Sequence, residues 1–243
     1  MSTPIAKIPK PEASKYEGKR KLILVPLLLA NPDTSEEGKN LFETYWSDVR
    51  NHIHNLEKSL GTVSHIYHEA ISEDGEEGLK IIDAINPFGC SLITELFKST
   101  AKVEPTDDKS VLEESTDWQR CLSVGLVSAN VMKTIMDQYR KSIDNRYAHI
   151  NDQINNTLKD NEVGVLFIRE DHKVQFSSDI QVFYVSPPSL NPVKKWLQEQ
   201  FLEAQKRFEQ AQRKAEKQTG NSPGTSDVES TEQSVKQSTD DSS

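Results

Sequence analysis

The strongest constraint on the fold is a strand–helix–strand pattern near the start of the sequence. Residues 22–29 form an uninterrupted apolar segment, which is typical of a strand covered on both faces of a sheet. From Phe42 to Leu60 apolar residues recur every three or four positions, as on one face of a helix, and Gly61 is a typical helix stop. Residues 63–70 then predict a second strand. A helical connection of this length joins parallel strands, so the pattern predicts an α/β fold.

The rest of the sequence extends this alternation. Ser128 begins a helix pattern that continues to about Lys159, and a second nearly continuous apolar segment follows at residues 163–168. The other predicted elements are helices at 74–85, at 90–97, from Ser110 and from Asn191, a loop at 102–109, a short hairpin partner at 174–176 and a strand at 180–185. We therefore expect a three-layer or two-layer α/β domain with a mixed sheet of four to five strands and about six helices.

Pro26 restricts where the first strand lies in the sheet. A proline has no N–H with which to bond a neighbouring strand, so within sheets it is confined mainly to edges, strand starts and bulges. We therefore expect the strand at 22–29 to lie at an edge of the sheet or to contain a bulge at Pro26.

Charge and composition divide the chain into four parts. Apolar residues make up 35% of the sequence and are scarce at both ends. The predicted parts are a flexible basic arm at 1–21 with a net charge of +4, a single α/β domain at 22–205, an extended end of the last helix at 206–219 and a disordered acidic tail at 220–243. Residues 22–191 carry a net charge of −12, which disfavours sequence-independent nucleic-acid binding by the main domain.

The expected location of the protein is the cytoplasm. Cys90 and Cys121 form neither a CxxC motif nor a disulfide framework, which is typical of a reducing compartment. Residues 19–21 precede the first apolar segment in the manner of a secretory signal peptide, and secretion is the alternative. That apolar segment is shorter than the ~20 residues that span a bilayer, so no membrane association is expected.

The last predicted helix provides the first candidate site. Its apolar residues follow the alternating spacing of four and three positions that is found in the seam of a coiled coil. The candidate partner-binding residues are Leu197, Phe201, Phe208, Lys194, Lys195 and Arg207. They predict contact with a protein partner or self-association. The alternative is a helix that covers the sheet as far as Phe201 and then continues into solvent.

The loop after the second predicted strand provides an alternative site. Glu69, Glu73 and Asp74 follow that strand, and ligands of α/β folds bind beyond the carboxyl ends of parallel strands. Paired carboxylates can divide the roles of acid and base, which predicts a small-molecule enzyme that uses residues 69–77. The competing explanation is that these acidic residues stabilise the start of the next helix through its dipole.

No motif in the sequence specifies a cofactor, a metal or a nucleophile. The glycine patterns GxGxxG and GxxxxGK[ST] are absent, as are GxSxG and HExxH. His65 and His68 lie three apart on a predicted strand, so their side chains point to opposite faces and cannot chelate one ion. We therefore expect no cofactor and no metal site.

Two segments carry a resemblance to known families. Residues 162–170, EVGVLFIRE, and residues 179–188, DIQVFYVSPP, resemble the signature of an uncharacterised family of bacterial soluble proteins, and the likeness extends from the first strand to Trp196. The order helix, apolar strand, hairpin, strand, helix is similar to the last domain of archaeo-eukaryotic release factors and their bacterial relatives. That resemblance implies an α/β sandwich with protein contacts at the ribosome. It does not imply peptidyl-tRNA hydrolysis, because the sequence has no Gly-Gly-Gln triplet.

These observations give three functional hypotheses. The first is a cytoplasmic, non-enzymatic binding or adaptor protein that contacts its partner through the C-terminal helix and the basic arm. The second is a release-factor-like protein that contacts the ribosome or RNA through the arm and lacks a hydrolytic motif. The third is a small-molecule enzyme that uses the acidic loop 69–77. The absence of catalytic motifs favours the first hypothesis.

Overall fold

The computed structural model describes the backbone of residues 18–219 and the side chains of residues 18–211. The predicted tail and residues 1–17 of the predicted arm lie outside the described residues. The chain divides after Trp196 into two compact units, each of which is described by itself. In chain order the elements are β1 (Arg20–Pro26), α1 (Glu36–Leu60), β2 (Val63–His68), α2 (Gly75–Ile85), α3 (Pro87–Ser99), β3 (Lys102–Glu104), α4 (Lys109–Ser123), α5 (Ala129–Thr157), β4 (Val163–Ile168), β5 (Ile180–Tyr184) and α6 (Leu190–Thr219).

The five strands form one sheet in the order β3-β2-β4-β1-β5. The predicted α/β class, the five strands and the six helices are confirmed. Each pair of neighbouring strands is parallel, so the described strands form a parallel sheet and not the mixed sheet that was expected. The hairpin partner predicted at 174–176, which would have made the sheet mixed, is wrong because those residues form no strand. β3 was not predicted: it has three residues inside the predicted loop 102–109, and its pairing with β2 defines it.

Pro26 lies at the end of β1. This strand is interior to the sheet, with β4 on one side and β5 on the other. Pro26 is its last residue and stands opposite Ile168, while the N–H of the next residue, Leu27, donates to the carbonyl of Ile168 at 2.9 Å. The expectation of an edge strand or a bulge is wrong, because the missing N–H falls where the strand ends.

Two basic residues assigned to the arm belong to the sheet. β1 begins at Arg20, whose Nε lies 2.7 Å from a carboxylate oxygen of Asp179. Lys21 is buried, and its ammonium group donates to the carbonyl of Leu60 at 3.0 Å and to that of Asn161 at 3.1 Å. Both positively charged groups therefore bind acceptors within the domain.

Helices cover both faces of the sheet, so the first unit has three layers. On one face α5 packs against the strands in a cluster that contains Leu22, Leu24, Leu166, Ile168, Tyr147, Ile150, Ile154 and Leu158. On the other face the Trp46 ring of α1 packs on Phe167 of β4, with ring centroids 5.8 Å apart. Burial on both faces explains why the central strands are apolar at nearly every position.

Local capping signals set the helix starts, with one difference from the sequence prediction. Ser128 caps α5 as predicted, by accepting the Val131 N–H at 3.4 Å. α4 begins at Lys109 and is capped by Asp108, which accepts the N–H groups of Ser110 and Val111 at 2.8 and 3.1 Å. The predicted cap at Ser110 is therefore wrong, because Asp108, two residues earlier, takes that role.

Candidate functional site

Three parallel strands end close together and deliver polar side chains to one edge of the sheet. Glu69 follows β2 directly, Asp107 comes three residues after β3, and Arg169 follows β4 directly. Strand order places β2 between β3 and β4, so these loops are neighbours. The carboxyl edge of parallel strands is the usual place for ligands in open α/β sheets.

Arg146 of α5 joins two of these loops through buried ion pairs. Its Nε and Nη2 atoms donate to the two carboxylate oxygens of Asp107 at 2.6 and 2.8 Å, and its Nη1 lies 3.1 Å from a carboxylate oxygen of Glu69. All three side chains are more than nine-tenths buried. Burial alone would lower the pKa of Arg146, but the bonds to Asp107 and the charge of Glu69 raise it, so this guanidinium stays charged.

Glu69 also holds Arg169. The backbone N–H of Arg169 donates to one carboxylate oxygen of Glu69 at 3.0 Å, and its Nε donates to the other at 2.9 Å. The Arg169 side chain is 43% exposed, and the charge of Glu69 outweighs partial burial and raises its pKa. Glu69 therefore has both oxygens occupied by arginine donors, which leaves it unsuited to the acid–base role predicted for it.

Arg146, Asp107, Glu69 and Arg169 form a network of ion pairs, and a residue with a strained backbone lies beside it. Ala70 has a φ of +72°, in the left-handed region that favours glycine. Its N–H donates to a carboxylate oxygen of Asp107 at 2.6 Å. The same carboxylate that binds Arg146 therefore holds the turn after Glu69 in place.

His68 is a neutral side chain that contacts the network through the backbone of Glu69. Asn86 accepts the N–H of Gly89 at 3.1 Å through Oδ1, so its amide donates to Nε2 of His68 at 3.3 Å. The proton of His68 is then on Nδ1 and is donated to the carbonyl of Glu69 at 2.7 Å. Complete burial lowers the pKa of His68 from 6.5 to about 4.

Two cavities share Arg169, Tyr139 and Ile143 in their linings. The apolar cavity, of about 200 Å³, is lined by Leu27, Leu29, Ile85, Leu112 and Ile143, with Glu69, Arg146 and Arg169 among its polar residues. The charged cavity, of about 280 Å³, is lined by Tyr139, Arg140, Asp144, Tyr147, Asp171 and Lys173, again with Arg169 and Ile143. Arg169 therefore borders both cavities. The Nη atoms of Arg169 make no hydrogen bond to any residue that the structure describes.

The acidic loop predicted as a pocket is only partly brought to this site. Glu69 lines the apolar cavity, but Glu73 and Asp74 are exposed and line neither cavity. Asp74 is the residue at the start of α2, where its side chain makes no capping hydrogen bond.

The sequence reasoning missed Asp107 and Arg169. The rule that pointed to Glu69, a polar residue just after a strand, would also have selected Arg169.

The candidate residues of the last helix are not part of this site. Lys194 lies in the first unit and pairs with Glu170 at 2.6 Å. In the second unit Phe201 and Phe208 are 69% and 64% exposed, Leu197 is half-buried, and Arg207 pairs with Glu203 at 3.3 Å. Lys195, also in the first unit, is exposed.

The predicted contact of the arm with the ribosome or RNA rests mainly on residues 1–17, outside the described residues, and stays a prediction.

Comparisons with protein-family models, with curated proteins and with solved structures give no match to the chain. Within residues 18–219 no helix is both long enough and apolar enough to cross a membrane. The same part of the chain contains no group of three or more His, Cys, Asp and Glu side chains that is arranged to hold a metal ion.

We expect that replacing Arg146 with methionine lowers the free energy of unfolding by about 3–5 kcal/mol, because Asp107 is left buried without a cationic partner and Glu69 keeps only Arg169. Urea unfolding of both proteins measures this difference. Arg120→Met, which removes an exposed pair with Asp117, is the matched control and should cost less than about 1 kcal/mol. Equal losses in the two variants would contradict the account of the buried network.

The buried His68 predicts a pH dependence of stability. The unfolded chain takes up a proton near pH 6.5, whereas the folded chain takes one up only near pH 4, so stability falls as the pH drops through this interval. The shift in pKa corresponds to about 3 kcal/mol. Urea unfolding between pH 7 and pH 4 should show a smaller decrease for His68→Asn than for the parent protein or for His52→Asn, which changes an exposed histidine. The same decrease in all three proteins would contradict this role of His68.

Proposed function

We propose that the protein is a binding module for a small anionic ligand, which Arg169 holds at the carboxyl edge of the sheet. The proposal rests on one observation: the Arg169 guanidinium is held by Glu69 at Nε, while its Nη atoms are not bonded to the described residues. Glu69 fixes its Nε at 2.9 Å and the backbone N–H of the same residue at 3.0 Å. Its Nη atoms make no hydrogen bond to the described residues, and the side chain borders two cavities.

An arginine held in this way is prepared to bind an anion. The planar guanidinium presents two parallel N–H donors, which match the geometry of a carboxylate or a phosphate. Because Glu69 already restricts the side chain, less conformational entropy is lost when a ligand binds. The carboxyl edge of the sheet also supports a ligand site, since neighbouring loops converge there.

The geometry favours binding over catalysis. Both carboxylates of the network are occupied, Asp107 by Arg146 and Ala70, and Glu69 by two arginines. Ser115 and Thr116 border the apolar cavity, but both hydroxyl groups donate to the carbonyl of Leu112, at 2.9 and 2.8 Å. Neither hydroxyl has the neighbouring base that activates a nucleophile.

The test is a calorimetric titration of the full chain with sodium hexanoate and with inorganic phosphate. We expect at least one of these anions to bind. Arg169→Gln should weaken that binding about tenfold or more, since a hydrogen bond to a charged group contributes about 1.5–3 kcal/mol. Arg169→Lys, which keeps the charge but loses the planar fork, should also weaken binding.

Arg120→Gln is the matched control, because it removes an exposed arginine that borders neither cavity. It should leave the affinity unchanged. The proposal is overturned when neither anion binds the parent protein, or when Arg169→Gln binds as tightly as the parent.

A second candidate function, which we also propose, is self-association through the last helix. Phe201 and Phe208 lie seven residues apart and are exposed in the second unit. Ala204 and Ala211 lie between and after them on the same helical stripe. Large exposed aromatic side chains at heptad spacing support pairing with another helix of the same kind.

Sedimentation equilibrium of the full chain measures this association. We expect a dimer whose dissociation constant rises at least tenfold in a Phe201→Ser, Phe208→Ser double variant, because each helix loses two exposed aromatic side chains that the dimer would bury. A Gln198→Ser, Gln205→Ser variant, which changes exposed positions on the same helix, is the control. A parent protein that is monomeric at the highest concentration tested contradicts self-association.

A further inference from the structure

The two cavities beside Arg169 differ in the chemistry of their walls. The charged cavity brings Arg140 and Lys173 together with Asp144 and Asp171, so its charges nearly balance. The apolar cavity is bordered by aliphatic side chains that follow β1 and lie on α2, α4 and α5, and also by the polar side chains Ser115, Thr116, Gln119 and Tyr139. A ligand held by Arg169 can therefore place an apolar part against the aliphatic side chains of the apolar cavity.

The apolar cavity offers charge for one anionic group only. Arg146 borders it, but all of its donor nitrogens face Asp107 or Glu69. The Nη atoms of Arg169 are the charged donors left for a ligand. A phosphate carries about −1.5 to −2 charges at neutral pH, and Glu69 at the same wall would repel the second of these. A carboxylate carries one charge and matches the donors.

The size of the cavity limits the rest of the ligand. Its volume of about 200 Å³ lies below the range of about 300–1,000 Å³ that is usual for drug-sized molecules. Leu27, Leu29, Ile85, Leu112 and Ile143 form an aliphatic part of its wall, against which an aliphatic chain of the ligand can pack.

We propose that the ligand is a short-chain aliphatic monocarboxylate, with its carboxylate on the Nη atoms of Arg169 and its chain in the apolar cavity. This inference rests on the proposed function and adds the class of ligand. It makes a quantitative statement: each methylene group that enters the cavity strengthens binding about fourfold, until the cavity is full.

Calorimetric titration of the full chain with acetate, butyrate, hexanoate and decanoate tests this statement. We expect affinity to rise from acetate to hexanoate and to level off or fall at decanoate. Hexanamide, which has the same chain without the charge, should bind at least tenfold more weakly than hexanoate. Inorganic phosphate should bind more weakly than hexanoate.

Two variants test where the chain lies. Thr116→Phe fills the apolar cavity, and Leu29→Asn makes its wall polar at a position that is 43% exposed and therefore tolerant of change. Both should reduce the gain in affinity from acetate to hexanoate while leaving acetate binding within about twofold of the parent. Val124→Asn, which changes an exposed valine that borders neither cavity, is the matched control and should keep the full gain.

The outcomes separate the two proposals. Binding of phosphate and of all carboxylates with equal affinity, each lost in Arg169→Gln, overturns the aliphatic ligand and leaves the anion site. A chain-length dependence that Thr116→Phe and Leu29→Asn do not alter also overturns the inference, because the chain then lies elsewhere. The absence of any binding that depends on Arg169 overturns both proposals.

Discussion

The fold at the carboxyl edge of the sheet depends on Arg146 and its two buried carboxylates. Arg146 lies on α5, Asp107 lies between β3 and α4, and Glu69 ends β2, so one guanidinium connects a helix to two loops. All three side chains are more than nine-tenths buried, so water can do little to replace a lost partner. Removing Arg146 leaves the Asp107 carboxylate buried without a cationic partner, which costs far more than an exposed ion pair contributes. The positions of the loops around the cavities follow from this arrangement.

The network also explains why the exposed arginine, rather than a carboxylate, is available to a ligand. Every acceptor of Glu69 and Asp107 already receives a donor, from Arg146, from Arg169 or from the backbone of Ala70. Arg169 is held at one side only and is open at the other. Its geometry before binding is therefore close to the geometry that an anion requires, which reduces the entropic cost of binding. His68, neutral and completely buried, fixes the carbonyl of Glu69 and so the direction in which that residue leaves β2.

Sequence patterns predicted most of the elements because these are defined locally. β1, α1, β2, α5 and β4 each show their own period or an uninterrupted apolar segment. β3 shows neither, since only Val103 of its three residues is buried, and pairing with β2 makes it a strand. From local sequence the site was predicted at Glu69, and the same rule could have selected Arg169, which also follows a strand directly. Asp107 and Arg146 lie 39 residues apart, and Glu69 and Arg169 lie 100 apart, so no local pattern connects them. Glu73 and Asp74 were predicted together with Glu69 because they are close in sequence, yet of the three only Glu69 lines a cavity.

The central claim is that Arg169 and the two cavities beside it form the binding site of this protein. Mapping of ligand-induced shifts in the ¹H–¹⁵N spectrum of the labelled full chain during a titration with hexanoate tests this claim most directly. The account predicts that the largest shifts fall at Glu69 and Ala70, at residues 112–119, at residues 139–146 and at Arg169. Shifts centred on another part of the described chain, or a spectrum that does not change at saturating hexanoate, would contradict it.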